Sequence, residues 1–326
     1  MHAIRQHAFG PPSTLEYETV PDPSPGAGQV RIAVEAAGVH LLDTVIRRGE
    51  SGGPFPLPDL PMTPGREVAG RVDAVGPGVE DRWLGRRVVA HLGQASGGYA
   101  SAAVAPAEAL HEIPDGVSAA AAVAMIGTGR TAVGILDLAK LTPADVAVVT
   151  SAAGGLGSLL VQGAVGAGAA VVGLAGGPDK VARVEALGAP AVDYRQPDWP
   201  RRASAAVGGR PATVLLDGVG GDAARAAVDL LAPGGRVLSF GWSSGTPLDL
   251  SPEDLAARGL TTVPVLGPAM TGRPGGLRSL ETEALEALAA GRLVPLLNPP
   301  FPLADAAAAH RALESRETSG KVTLTP

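Results

Sequence analysis

At 326 residues the chain is long for a single core and points to two domains, and its 45% hydrophobic and 18% charged residues fit a water-soluble globular protein. A net charge of -6 with no run of Lys or Arg excludes a nucleic-acid surface. The absence of cysteine excludes disulfides, thiolate nucleophiles and every zinc site built on Cys.

The N-terminal MHAIRQHAFG lacks the apolar stretch of a signal peptide, so a cytoplasmic chain is expected. Residues 1 to 120 read as short strands and turns. AIRQHAF, TLEYETV, QVRIAVEAAGV and REVAGRVDAVG are separated by proline and glycine, and GRRVVAHLGQASGGYASAAVAPA adds two strands around a glycine-rich loop. These pieces suggest a partly closed barrel. From about residue 118 the spacing turns helical, and the strand DVAVVTS follows. Helices and strands then alternate: a helix from about 155 to 167, the strand AAVVGL, the helix PDKVARVEALGA, the short strand AVDY, a polar crossover, the strand TVLLDGV, the helix DAARAAVDLLA and the strand GRVLSFG. Such βαβ units predict a parallel sheet whose strands are continuous apolar runs. Residues 159 to 177 are apolar enough to suggest a membrane span, but six glycines and a preceding turn favour a helix and then a buried strand. Beyond about 264 the chain is rich in Pro and Gly, with a helix at 279 to 290, a helix in FPLADAAAAHRALES and a terminal strand KVTLTP.

The stretch VVTSAAGGLGSLLVQ, residues 148 to 162, follows a strand and opens a helix, the context in which a glycine turn holds phosphate. Ala152 stands where the usual G-x-G-x-x-G fingerprint has its first glycine. Gly154 and Gly155 permit backbone angles that a side chain forbids, the helix N-terminus favours a pyrophosphate, and Gly157 lets helix and strand approach closely. An NAD site places an acid some twenty residues on to hold the ribose 2′-OH. Asp179 is near that distance, but after Gly177 and Pro178 it suits a helix N-terminus better. Lys180 and Arg183 suit a 2′-phosphate, so NADP is favoured over NAD.

Joined, the segments AGVHLLDTVIRRG, TPGREVAGRVDAVGPGV, GGYA, AAGGLG, GGPDK, VDYR, LLAPGGRVLSFG and FPLADAAAAHRALESRETSGKVTLTP resemble the quinone oxidoreductases, the zinc-independent branch of the medium-chain dehydrogenase/reductase superfamily. The resemblance covers nearly the whole chain. It implies an α/β fold: a Rossmann, doubly wound parallel sheet at 121 to 263 that binds NADP(H), and a mostly β, GroES-like, partly closed barrel, the catalytic domain, from 1 to 120 and 264 to 326. By resemblance, Gly155, Leu156 and Gly157 meet the pyrophosphate, and Lys180 and Tyr194 hold the 2′-phosphate. Val219, Gly220, Phe240 and Gly241 line the nicotinamide half, and Thr131, Ala153, Gly154, Gly176, Gly177 and Lys321 complete the expected cofactor set.

Zinc-dependent relatives carry ligands where this chain has His40, Arg66 and Gly127, so no metal is expected. Hydride transfer to a conjugated carbonyl needs orientation and stabilisation of charge on oxygen more than a Lewis acid. His40 is the candidate to donate a hydrogen bond or proton to that oxygen, or else a histidine satisfied within a loop. Asp43 orients its loop, and Arg66 is a site candidate expected to pair with Glu67. Tyr17 and Tyr99 read as core, His91 as a solvated loop residue, and Arg130 as a possible phosphate contact.

The expected substrate is therefore a quinone or enone, with no nucleic-acid or membrane partner. The alternatives are a 2-enoyl thioester reductase, for which Arg47, Arg48 and Arg273 would form a basic entrance, and a non-catalytic NADPH-binding protein. RVLSFGW and LTTVPVL are expected as sheet edges paired across a homodimer. Specificity is assigned to loops around 40 to 60, 91 to 98 and 242 to 275.

Overall fold

The first strands of the chain pair locally, which fixes the start of the architecture. The structure, a computed structural model, describes residues 1–50, 56–94 and 96–326; parts of the specificity loops at 51–55 and 95 lie outside the described residues. Two compact units result, Met1–Gly127 with Leu297–Pro326, and Thr128–Leu296.

In the first unit β1 (His2–Gln6) and β2 (Leu15–Thr19) form an antiparallel pair. They are followed by β3 (Gln29–Val39), α1 (Leu41–Arg47), β4 (Glu67–Val75), β5 (Arg87–His91), β6 (Ala102–Pro106), β7 (Leu110–Glu112) and α2 (Ala119–Ala124). Alternation in β3 buries Val30, Ile32 and Val34 on one face. Two register shifts between β3 and β4 let this sheet curl. The helix α1 is not legible in the sequence pattern, because seven residues give too little periodicity; its first turn is fixed by the Asp43 carboxylate, which accepts the His40 N–H at 2.9 Å.

The second unit runs α3 (Arg130–Ala139), β8 (Val146–Val149), α4 (Gly155–Gly166), β9 (Ala170–Ala175), α5 (Pro178–Glu185), β10 (Ala191–Asp193), α6 (Trp199–Ala206), β11 (Ala212–Asp217), α7 (Gly221–Val228), β12 (Leu231–Ser239), α8 (Pro252–Arg258), β13 (Thr261–Thr262), α9 (Pro268–Thr271) and α10 (Gly276–Ala289). All six strands are parallel, in the order β10-β9-β8-β11-β12-β13. This is the doubly wound order, with its switch point between β8 and β11. The polar crossover after β10 carries α6, whose Trp199 and Ala203 are buried. The segment 264–296, expected with the barrel, lies in this unit because α10 buries Leu280, Ala284 and Leu285, with Leu280 and Met270 packed over Gly134 of α3. Residues 159–177, apolar enough to suggest a membrane span, are divided between α4 and β9. RVLSFGW is not an edge, since β12 is flanked by β11 and β13.

The chain then returns to the first unit through β14 (Phe301–Pro302), α11 (Ala306–Glu314) and β15 (Val322–Thr325). There the sheet order is β14-β15-β3-β4-β5-β7, with β6 also paired to β3.

Candidate functional site

In the second unit the turn after β8 is built by one buried carboxylate and one strained residue. Thr150 Oγ1 donates to Asp217 Oδ1 at 2.8 Å and accepts the Gly218 N–H at 2.9 Å, tying together the carboxyl ends of β8 and β11. Burial pushes the Asp217 carboxyl up, against the N–H groups of Val219 and Gly220 and the Thr150 hydroxyl, which favour its ionised form. Ser151 adopts a φ of 50° and accepts the Gly154 N–H at 2.9 Å. A Cβ on Gly157 would overlap the Ser151 carbonyl, so only glycine closes this turn. Ala153 is buried behind it, while Gly154, Gly155 and Leu156 remain partly open at the start of α4. The first-turn N–H groups there have no acceptor within the helix, which with the helix dipole suits an anion. Phe240 donates its N–H to the Asp217 carbonyl at 2.8 Å and lays its ring against Gly218, which sets Val219, Phe240 and Gly241 along one edge. Thr131 lies in the first turn of α3, beside Arg130, which pairs with Glu281 at 2.7 Å.

A second anion-suited corner forms at the end of β9. Gly177 has a φ of 98°, which favours glycine, and its N–H donates to Asp193 Oδ1 at 2.9 Å. Arg195, absent from the expected set, lies across Gly177 with its Nε 3.2 Å from Asp193 Oδ1 and its side chain 57% exposed. Burial opposes ionisation of Asp193, but Arg195 and the N–H groups of Arg195 and Gly177 hold its carboxyl down at about 2. The Tyr194 hydroxyl lies over Gly176, and Lys180 sits on the first turn of α5. The signal for Arg195 was its place directly after Tyr194 in VDYR.

In the first unit strand register gathers residues far apart in sequence. Glu67 is fully buried, with Oε2 2.8 Å from Lys321 Nζ and Oε1 2.7 Å from His40 Nε2. Burial alone would raise this carboxyl; His40 and Lys321 outweigh it and hold it well below the usual range, with a further contribution from His91. These partners replace the pairing expected with Arg66. Gly38 and Gly127 wall the slot, and a Cβ on either would overlap a Glu67 carboxylate oxygen. Lys321, expected at the cofactor, is buried with its ammonium also 3.0 Å from His40 Nε2. His91 is the last residue of β5, paired with Glu67 in register, and its Nδ1 accepts the Gly93 N–H at 3.0 Å.

Asp43 belongs to a neighbouring buried chain. Its Oδ2 accepts the Tyr99 hydroxyl at 2.8 Å; Tyr99 contacts His310 Nε2 at 3.1 Å, and His310 Nδ1 lies 3.2 Å from Arg47 Nη1. Arg47 has only protons to give, so Nδ1 is the acceptor and the His310 proton sits on Nε2. Burial lowers His310 to about 4 from 6.5. Between those values the unfolded chain takes up a proton that the native ring refuses. Stability is therefore expected to fall by about 3 kcal/mol in total as pH drops from about 6.5 to 4. Urea denaturation at pH 7 and 4.5 measures this, and His310→Gln removes that share of the slope.

Asp43 and Arg66 both line a cavity of about 240 Å³ with Arg47, Met62, Gln94 and Ser96, whereas His40 belongs to the Glu67 cluster. Arg47 and Arg48 each bind Glu314, at 2.7 and 2.8 Å, and Arg273 binds Asp137 and Glu283, so the expected basic entrance is neutralised within each unit. Tyr99 is core, but Tyr17 is exposed and stacked on His2. The donor set does not fit zinc: Gly127 offers no donor, Arg66 is a cation, and the His40 nitrogen faces an ammonium.

A glycine turn at the switch point of a doubly wound parallel sheet, joined in one chain to a curled, mostly antiparallel sheet, defines the medium-chain dehydrogenase/reductase class. Residues 155–285 match the family described as zinc-binding dehydrogenase and residues 26–115 the alcohol dehydrogenase GroES-like domain. The chain is 32% identical to a quinone oxidoreductase of Pseudomonas aeruginosa over 99% of each chain, and 34% identical to a 2-haloacrylate reductase of a Burkholderia species over 98% of this chain and 97% of that one. The crystal structure of Escherichia coli quinone oxidoreductase complexed with NADPH matches with a TM-score of 0.87 at 29% identity, covering all of both chains. A Pseudomonas syringae pv. Tomato quinone oxidoreductase matches with a TM-score of 0.87 at 32% identity, covering 100% of this chain and 99% of that one. The chain belongs to the quinone oxidoreductase family.

Proposed function

We propose that this protein is an oxidoreductase that uses NADPH to reduce a quinone or an α,β-unsaturated carbonyl compound without a metal. The observation that carries the cofactor choice is the corner at Gly177, where the Tyr194 hydroxyl lies over Gly176 and the Arg195 guanidinium over Gly177, with Lys180 on the first turn of the helix α5 that starts there. Two cations and a hydroxyl suit a 2′-phosphate, and charge-assisted hydrogen bonds to it discriminate against NADH. The α4 N-terminus with Gly155, Leu156 and Gly157 binds the pyrophosphate, and Val219, Phe240 and Gly241 face the nicotinamide half.

When bound, NADPH supplies a hydride from its nicotinamide C4 to the electrophilic carbon of the acceptor. Conjugation spreads the incoming charge onto the acceptor's oxygen, so a hydrogen-bond donor is sufficient there. His40 is that donor, and Asp43 holds its backbone N–H at the start of α1. The quinone oxidoreductase and 2-haloacrylate reductase names of the relatives both refer to conjugated acceptors, which supports this substrate class.

Initial rates with a simple quinone, run in parallel with NADPH and NADH, test the reading. NADPH is expected to be preferred, and Lys180→Ala to lower kcat/KM for NADPH by about 10- to 100-fold while leaving NADH nearly unchanged. Equal use of both cofactors would remove the phosphate corner from the account. We also propose a homodimer in which a second copy covers the edge at β13, where Thr261 and Thr262 are exposed along with Trp242 (52%) and Leu266 (48%). Light scattering that finds only monomer at micromolar concentration would exclude it.

A further inference from the structure

The walls of the cavity in the first unit define what it can hold. Its lining residues fall between Gln6 and Ser96, within that unit, and its volume is about 240 Å³. An apolar cavity of about 150 Å³ is enough for a benzene molecule. The space therefore takes one substituted ring and is far too small for a dinucleotide. Ile46, Met62 and Pro64 give it an apolar wall, with Ile46 and Pro64 themselves buried.

Two acceptor oxygens define the other half. Asp43 is 6% exposed, and both donors that it meets, the His40 N–H and the Tyr99 hydroxyl, go to Oδ2. Gln6 is 1% exposed, and its amide nitrogen donates to the carbonyls of Ala8 and Arg47 at 3.1 and 2.9 Å. No described residue donates to Asp43 Oδ1 or to Gln6 Oε1. Among the described residues, Glu67 Oε1 is the one side-chain polar atom sealed from solvent without a hydrogen bond. Asp43 Oδ1 and Gln6 Oε1 are therefore open, and the cavity is the space that both residues line. Buried polar groups are answered by hydrogen-bond partners, and here the partner has to come from outside the chain and bring a donor.

Charge narrows the ligand further. Asp43 and Asp59 confront an anion with like charge, and Arg47 and Arg66 do the same to a cation. A neutral ring with a hydroxyl group satisfies both halves, its face on Ile46 and Met62 and its O–H on the carboxylate. The carbonyl of a quinone in the same place would set oxygen against oxygen, so the site accepts the reduced form of such a ring and refuses the oxidised one.

We propose that this cavity is a binding site for a neutral, hydroxylated ring compound, held by a hydrogen bond from its hydroxyl to Asp43 Oδ1. Binding here needs neither cofactor nor turnover, so it stands apart from the NADPH reading. The test is methyl NMR of the full chain titrated with phenol and with toluene, which exchange a hydroxyl for a methyl group at nearly equal size. The methyl signals of Ile46 and Met62, assigned through Ile46→Val and Met62→Leu, report on the cavity. They are expected to saturate with phenol at a Kd at least about 10-fold below that for toluene, the effect of one hydrogen bond to a charged acceptor. A merely apolar void would give the opposite order, because toluene is the more apolar ligand.

Asp43→Asn carries the sharper expectation. The Tyr99 hydroxyl and the His40 N–H both donate, so they hold the amide oxygen in the place of Oδ2 and turn the NH₂ group into the cavity. A charged acceptor is thereby replaced by a neutral donor. Phenol affinity is expected to fall at least about 10-fold and toluene affinity to change by less than about threefold. Should this variant not fold, Met62→Trp, which fills the cavity from its apolar wall, is expected to abolish the phenol response of the Ile46 methyl. Phenol shifts that do not saturate would leave water as the occupant and overturn the proposal. So would toluene binding as tightly as phenol, or an unchanged phenol affinity in folded Asp43→Asn or Met62→Trp.

Discussion

Gly157→Ala is expected to weaken NADPH binding by at least about 100-fold, measured by fluorescence titration. The added Cβ would overlap the Ser151 carbonyl, a backbone atom that has no rotamer to escape through. Ser151 already sits at a φ of 50°, and Thr150 anchors the turn to Asp217, so the turn has little freedom to open. Relief comes only by moving α4 away from β8. That displaces the N–H groups of Gly155 and Leu156, to which the proposed function assigns the pyrophosphate. Gly166→Ala on the same helix, where a Cβ meets nothing within 4 Å, is the control and should bind as the wild type does. Equal binding by both variants would mean that the turn does not hold the cofactor.

Glu67→Met is expected to destabilise the fold by about 3–5 kcal/mol in urea denaturation, because it leaves the buried Lys321 ammonium without its carboxylate. The Glu67→Met/Lys321→Met pair should recover much of the loss, since an apolar pair of similar volume buries no charge. A double variant as unstable as the single one would show that the ion pair is not the source. The pH dependence has a definite sign. The native Glu67 carboxyl is held below its usual value of 4.5, so its contribution is present above that pH and is lost as the pH falls toward the native value.

The Rossmann unit was legible because its signals are local. Runs such as VAVV and TVLLD are buried on both faces and show themselves as unbroken apolar segments, and the glycine turn falls within a dozen residues of the strand that positions it. The short helix α1 was not legible, since seven residues carry too little periodicity, and α6 was hidden because its segment WPRRASAA is polar and buries only Trp199 and Ala203. The place of residues 264–296 was hidden for another reason. Met270 and Leu280 are held by Gly134 of α3, a partner more than 130 residues away.

His40 was legible as a candidate, but its partners were not. Arg66 was the expected mate of Glu67 because it is adjacent in sequence, yet β4 begins only at Glu67, and its carboxylate finds Lys321 across β3 instead. The sequence by itself determined the two-domain α/β plan, the glycine turn after β8 and the unsuitability of residues 40, 66 and 127 for zinc, all of which rest on residue type and short-range spacing. Only the tertiary structure decided the partners of His40, Asp43 and Asp193, because a buried charge is answered by whatever strand register and glycine gaps bring within hydrogen-bond reach, and register joins residues as distant as His40 and Lys321.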